Sequence, residues 1–210
     1  MSEPPSIIPI VEGHGEQEAV PTLIRRIGLS LSPPIYPNVL PPIRRSRPKL
    51  VRQDELERTV KLAANKVGTN GRILIIIDAD DDCPATLGPQ LLARAQSARP
   101  DRQISVVLAK SEFESWFLAG ASGLAGQRGL SSTLNPPDDP ESKRDAKGWL
   151  TANMTNQTYK ETTHQAAFAD CFDMHQALQL GTPHFSDSFH KFWRECHALL
   201  GTPSSSGLQT

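Results

Sequence analysis

Ile73-Leu74-Ile75-Ile76-Ile77-Asp78-Ala79-Asp80-Asp81-Asp82 decides the fold. Five apolar, mostly β-branched residues in succession fit a strand covered on both faces, because a half-exposed strand would alternate apolar with polar side chains. Outward from it, Ile7–Val11 is a shorter apolar run ending in Glu12 and reads as a first strand. Glu16–Ile27 places Val20, Leu23, Ile24 and Ile27 on one helical stripe, and Asp54–Val67 repeats this with Leu56, Val60, Ala63, Ala64 and Val67. Leu87, Leu91, Leu92 and Ala95 mark a third helix, Ile104–Ala109 has strand character, and Phe113, Trp116 and Phe117 begin a further helix. Strands alternating with helices predict an α/β protein with a mostly parallel sheet and right-handed crossovers. Beyond about Ala121 only helical patterns return, at Ala146–Met154, Thr163–Leu180 and Ser186–Leu200. The expected organisation is an α/β core over residues 1–120, a helical C-terminal extension over 121–200, and a frayed tail over 201–210.

Composition narrows the class. The chain has 210 residues, 38% hydrophobic and 21% charged, too apolar for disorder throughout. Lys+Arg number 22 against 23 Asp+Glu, a net charge of -1, which excludes a histone-like mode of nucleic-acid binding but not a local basic surface. No apolar run approaches the roughly 20 residues of a membrane helix, and the start lacks the order of a signal peptide. Cys83, Cys171 and Cys196 form no CxxC pair, so neither a disulfide framework nor a zinc knuckle is readable. A soluble, reduced, cytoplasmic protein is expected. Six prolines between Ser32 and Pro48 exclude a helix there and suit an edge strand or extended loop.

The acids concentrate at strand ends. Glu12 closes the first strand, and Gly13-His14-Gly15 leads straight to Glu16; Asp78 and Asp80 close the central strand; Glu112 and Glu114 follow the fourth. In an open parallel sheet the carboxyl ends of the strands share one rim, where ligands bind. Any one of these acids alone reads equally well as a helix cap, Asp82 before Cys83-Pro84 especially. Three clusters converging on one rim repel each other unless protons or a cation intervene, and oxygen donors of this kind suit Mg²⁺ or Mn²⁺.

Val11–Glu16 (VEGHGE), Ile75–Asp82 (IIIDADDD) and Lys110–Ala119 (KSEFESWFLA) resemble blocks of the Toprim domain, the Rossmann-like catalytic module of topoisomerases, primases and overcoming-lysogenization-defect nucleases. More narrowly, the chain resembles a bacterial Toprim-like family catalogued as domain of unknown function 4276, through Pro140–Leu150, Tyr159–Phe168 and Ser188–Trp193 as well. The resemblance implies a Toprim-like sheet and a nuclease acting on nucleic acid beside a partner ATPase, as in phage defence. Carried over residue by residue, it makes Glu12 an acid/base group or metal ligand, Asp78 and Asp80 the DxD pair, and Glu16 a ligand of a further metal. Glu112 or Glu114 supplies a later carboxylate, and Lys110 or Lys147 the cation expected near a leaving group. Two Mg²⁺ or Mn²⁺ ions about 4 Å apart would serve such a site. Neither Tyr36 nor Tyr159 sits in a covalent relay motif, which favours hydrolysis over strand passage.

Arg44, Arg45, Arg47, Lys49 and Arg52 put five cations into nine residues, read as a phosphate-backbone contact or as a solvated loop. The histidines lack metal-ligand spacing and read as surface or capping residues, His14 as a solvent-exposed turn residue or a group that orients a phosphate or water. Cys83 reads as a small buried thiol, and Trp116 and Phe117 as core. Two rival functions stay open: an aspartate-nucleophile phosphatase using Asp78 and Asp80, and a non-catalytic subunit that binds nucleic acid or protein.

Overall fold

In the computed structural model, which describes residues 4–201, five parallel strands form one sheet flanked by helices. β1 (Ser6–Val11) leads into α1 (Glu16–Ser30); β2 (Asn38–Val39) and β3 (Ile43–Arg44) follow, then α2 (Arg47–Val51), α3 (Glu55–Val67) and β4 (Arg72–Asp78). α4 (Pro84–Ala98) connects to β5 (Ile104–Ala109), and α5 (Ser115–Ala119) starts the second half. That half continues through α6 (Ala146–Ala152), α7 (Glu161–Cys171), α8 (Met174–Leu178) and α9 (Asp187–Leu200). The order across the sheet is β2-β1-β4-β5, with β3 also paired to β1. β2 and β3 are thus two halves of one edge strand. Pro41 and Pro42 interrupt it, as expected of residues that cannot donate to a ladder.

The central run is covered on both faces. Leu74 and Ile76 point into a cluster with Val20, Leu23, Ile24, Phe117 and Phe189, while Ile73, Ile75 and Ile77 point into a second cluster with Leu56, Val60 and Leu91. α1, α7 and α9 therefore cover one face, and α3 and α4 the other. Phe113, Trp116, Phe117, Phe168, Phe172, Phe189 and Phe192 are fully buried in the first cluster and join the second half of the chain to the sheet. Aromatic pairs such as Phe117–Phe168 and Trp116–Phe189, with ring centroids 5.7 and 5.4 Å apart, make that joint edge-to-face.

Several local expectations need correcting. Arg47 and Pro48 open α2, because proline is tolerated in a first turn, so the proline-rich stretch ends in a helix. The pattern over Thr163–Leu180 is two helices, broken at Phe172, whose backbone is extended, and restarted by Asp173, which accepts from the N–H groups of His175 and Gln176. Cys83 is exposed, and the buried thiol is Cys196. His164 is buried rather than at the surface, against Tyr159 and Phe168. Asp82 does not cap α4; it pairs with Arg47. The tail expected over 201–210 lies outside the described residues apart from Gly201.

Candidate functional site

β1 and β4 are neighbours, but the chain leaves β1 toward one edge of the sheet and reaches β4 only after crossing back. Their carboxyl ends therefore flank the crevice where open α/β sheets bind ligands. Glu12 and Asp78 stand at those two ends. Glu16 enters from the first turn of α1, 3% exposed, with its Oε2 accepting from the Glu12 N–H at 3.1 Å. Asp78 Oδ1 accepts from the Phe113 N–H at 2.8 Å, which ties the end of β4 to the segment after β5. That segment delivers Glu114, fully buried.

Four carboxylates thus face one another. Burial raises each above its ordinary range, and repulsion from the others adds to it at Glu16 and Asp78: Glu16 responds to Glu114 and Glu12 and is pushed up to about 8. Asp78, buried beside Glu16, Glu114 and Glu12, is raised well above the aspartate range. Glu12 is raised by burial, and hydrogen bonding from the Arg47 and Asp78 backbone draws it partly back. Glu114 is raised by burial against the pull of Lys147, Tyr159 and Gln165. Glu112 is half-buried at the margin and also raised by burial, with Lys147 opposing.

The second half of the chain supplies the counter-groups. Tyr159 O–H and Gln165 Nε2 both donate to Glu114 Oε1 at 2.8 Å. Lys147 Nζ lies 2.6 Å from Glu161 Oε1 and 3.9 Å from Glu114 Oε2. Burial opposes the lysine charge, but Glu114, Glu161 and Asp78 outweigh it and hold the proton firmly. Tyr159 is raised by burial and by Glu114, so its phenol stays a donor and is no nucleophile. Gly15 makes this assembly possible: a Cβ there would collide with the Gln165 side chain and the Glu161 carbonyl, so only glycine lets α1 approach α7 so closely.

The other expected residues lie around this cluster. Asp80 turns outward, its side chain 60% exposed and its Oδ2 3.3 Å from Arg47 Nε. Arg47 also donates to the Asp78 and Ala79 carbonyls at 2.9 and 3.2 Å and pairs with Asp82, so it binds the loop after β4 to the edge of the sheet. Arg45 follows β3 beside Val11, and Arg44, Lys49 and Arg52 are exposed nearby. Lys110 is exposed and lines a different cavity with Lys191 and Asp187. Tyr159, Gln165 and Glu161 were not singled out as site residues from the sequence. Their only signal was the run Tyr159–Phe168, and nothing in its spacing says which side chains turn inward.

The donor set is all oxygen, and Glu12 Oε2, Glu112 Oε2 and Glu114 Oε2 are buried without a hydrogen-bond partner. Unpartnered carboxylate oxygens in a repelling cluster fit a hard divalent cation. Among the described residues, no three His, Cys, Asp or Glu side chains are already grouped closely enough to enclose an ion. A family model described as a domain of unknown function, DUF4276, matches residues 11–192. No curated protein and no solved structure matches the chain.

Proposed function

The chain belongs to the DUF4276 family, a domain of unknown function, and from that premise we propose that it is a divalent-metal-dependent phosphodiesterase acting on nucleic acid. The observation that carries this reading is the meeting of Glu12, Glu16, Asp78 and Glu114 at the crevice between β1 and β4, each raised by burial and Lys147 beside them. The likeness of Val11–Glu16, Ile75–Asp82 and Lys110–Ala119 to Toprim blocks supports it.

Glu12, Glu16, Asp78 and Glu114 would hold Mg²⁺ or Mn²⁺, with Glu112 and Asp80 at the margin. A cation there would polarise a phosphoryl oxygen and lower the pKa of water. Lys147, beside Glu114 and Glu161, would offset charge on a leaving oxygen. Glu12 is half-buried and raised by burial, which suits proton exchange with water. Tyr159 and Gln165 fix one oxygen of Glu114 and leave the other without a hydrogen bond, 3.9 Å from Lys147 Nζ. An aspartate-nucleophile phosphatase is the weaker reading. Burial and three neighbouring acids raise Asp78, and its Oδ1 is held by the Phe113 N–H, neither of which suits a free attacking carboxylate.

The test is cleavage of single- and double-stranded DNA and RNA by the purified protein in Mg²⁺ or Mn²⁺, with a chelator control. Cleavage that the chelator abolishes is expected. Tight binding without cleavage under either metal would leave the non-catalytic binding subunit.

The basic segment is tested separately. Arg44→Ala/Lys49→Ala/Arg52→Ala, which spares the structural Arg47, should lower the slope of log affinity against log salt by about 2 to 3, since each lost phosphate contact removes about 0.7–0.9. Titration of labelled DNA and RNA at several salt concentrations reads this directly. An unchanged slope removes the segment from the interface.

A further inference from the structure

A cavity of about 320 Å³ opens on the rim of the site, lined by Asp80, Asp81, Ser111, Glu112 and Arg144. Three of these five are acids and would repel a phosphate. Arg144 is the cation among them. Its Nη1 lies 2.7 Å from Asp81 Oδ1, yet both side chains are open to water, 82% and 80% exposed. Such a pair adds little to the stability of the fold and exchanges partners readily. Arg47, only 16% exposed and bonded to two backbone carbonyls, is the opposite case. The loop Asp80–Asp82 is therefore flanked by one arginine that is built in and one that is free to turn.

The cavity wall is shaped for contact. Asp80 and Ser111 both have left-handed backbone (φ 50° and 63°), and the Asp80 N–H donates to the Ser111 carbonyl at 3.1 Å. Non-glycine residues hold this conformation at an energetic cost and cluster at functional sites. Glu112 lines the same cavity and carries a buried oxygen without a hydrogen bond, so the cavity reaches the acid at the margin of the carboxylate cluster.

We infer that Arg144 binds a backbone phosphate of the strand that enters the site, and that Asp81 occupies its guanidinium until a phosphate displaces it. The inference rests on the nucleic-acid reading above and extends it to a residue with no assigned role. A guanidinium fork suits two phosphate oxygens better than one exposed carboxylate does, which gives the exchange its direction.

The experiment measures binding of a labelled strand of about 20 nucleotides, as DNA, RNA and duplex, across a salt series, with Mn²⁺-dependent cleavage assayed in parallel. Arg144→Ala should weaken binding about 5- to 20-fold and lower the salt slope by about one; Arg144→Lys should recover part of the loss. Asp81→Asn should tighten binding several-fold at low salt. All three variants should unfold at the wild-type temperature, because the pair is exposed. Wild-type affinity and slope in Arg144→Ala, beside a wild-type protein that cleaves, would overturn this assignment and leave the phosphodiesterase reading standing. A slope that falls in a protein that cleaves nothing under either metal would do the reverse. A wild-type protein that binds none of the strands overturns both.

Discussion

Asp78→Asn should lower phosphodiesterase turnover on the order of 10³-fold while leaving the protein folded and, at pH 8, no less stable than the wild type. The amide keeps the shape of the side chain and an oxygen to accept from the Phe113 N–H, so the tie between β4 and the following segment survives. It removes a carboxylate that burial and three neighbouring acids already penalise. An acid kept only for structure would behave the opposite way, because losing a useful charge costs stability and leaves chemistry untouched. Turnover and thermal unfolding measured on the same preparation separate the two. A variant that keeps full activity, or that loses activity only by unfolding, sinks the assignment of Asp78 to the site.

The second large effect is on stability. Glu16 is pushed up from the glutamate value of 4.5 to about 8, so between those values the folded chain binds a proton that the unfolded chain has lost. Stability contributed this way is greatest at low pH and declines as pH rises toward 8. His190 and His197, lowered by burial, oppose this only below their ordinary value of 6.5. Glu57, lowered by its hydrogen bond from Arg94, matters only as pH falls through the carboxylate range. From about pH 6.5 to 8 the cluster therefore dominates, and Glu16 alone accounts for about 2 kcal/mol across that window. In a chelator, the unfolding midpoint should drop by roughly 4–8 °C over it. Mn²⁺ or Mg²⁺ at about 100 times its dissociation constant should restore about 2.7 kcal/mol at pH 8 and flatten the pH slope, because metal and protons compete for the same oxygens. A midpoint that climbs with pH, or that ignores both metals, would mean that these acids do not share one metal site.

The fold was legible because Ile73–Ile77 cannot be half-exposed and because its two neighbouring strands end in acids as well. The clusters on either side of β4 and the crevice between Glu12 and Asp78 follow from that one run. Other features were not written locally. Glu112 and Glu114 are two residues apart at the start of a short helix, and only the hydrogen bonds from Tyr159 and Gln165 mark Glu114 as the inner one. Arg47 looked like its basic neighbours, but two carbonyls at the end of β4 hold it in the scaffold. Lys110 and Lys147 were interchangeable in sequence. The chain brings Lys147 to Glu114 and turns Lys110 toward α9, because α6 lies against α5 whereas β5 has already ended at Ala109.

Among the described residues, every strand and all four inner acids lie before residue 120, whereas the partners of the Glu114 side chain, Lys147, Tyr159 and Gln165, come after it. A ribosome making this chain therefore delivers the acids of the crevice before the groups that brace them. Under the phosphodiesterase reading, a product cut short after the sheet would carry the four acids without Lys147, Tyr159 and Gln165, the groups that brace Glu114.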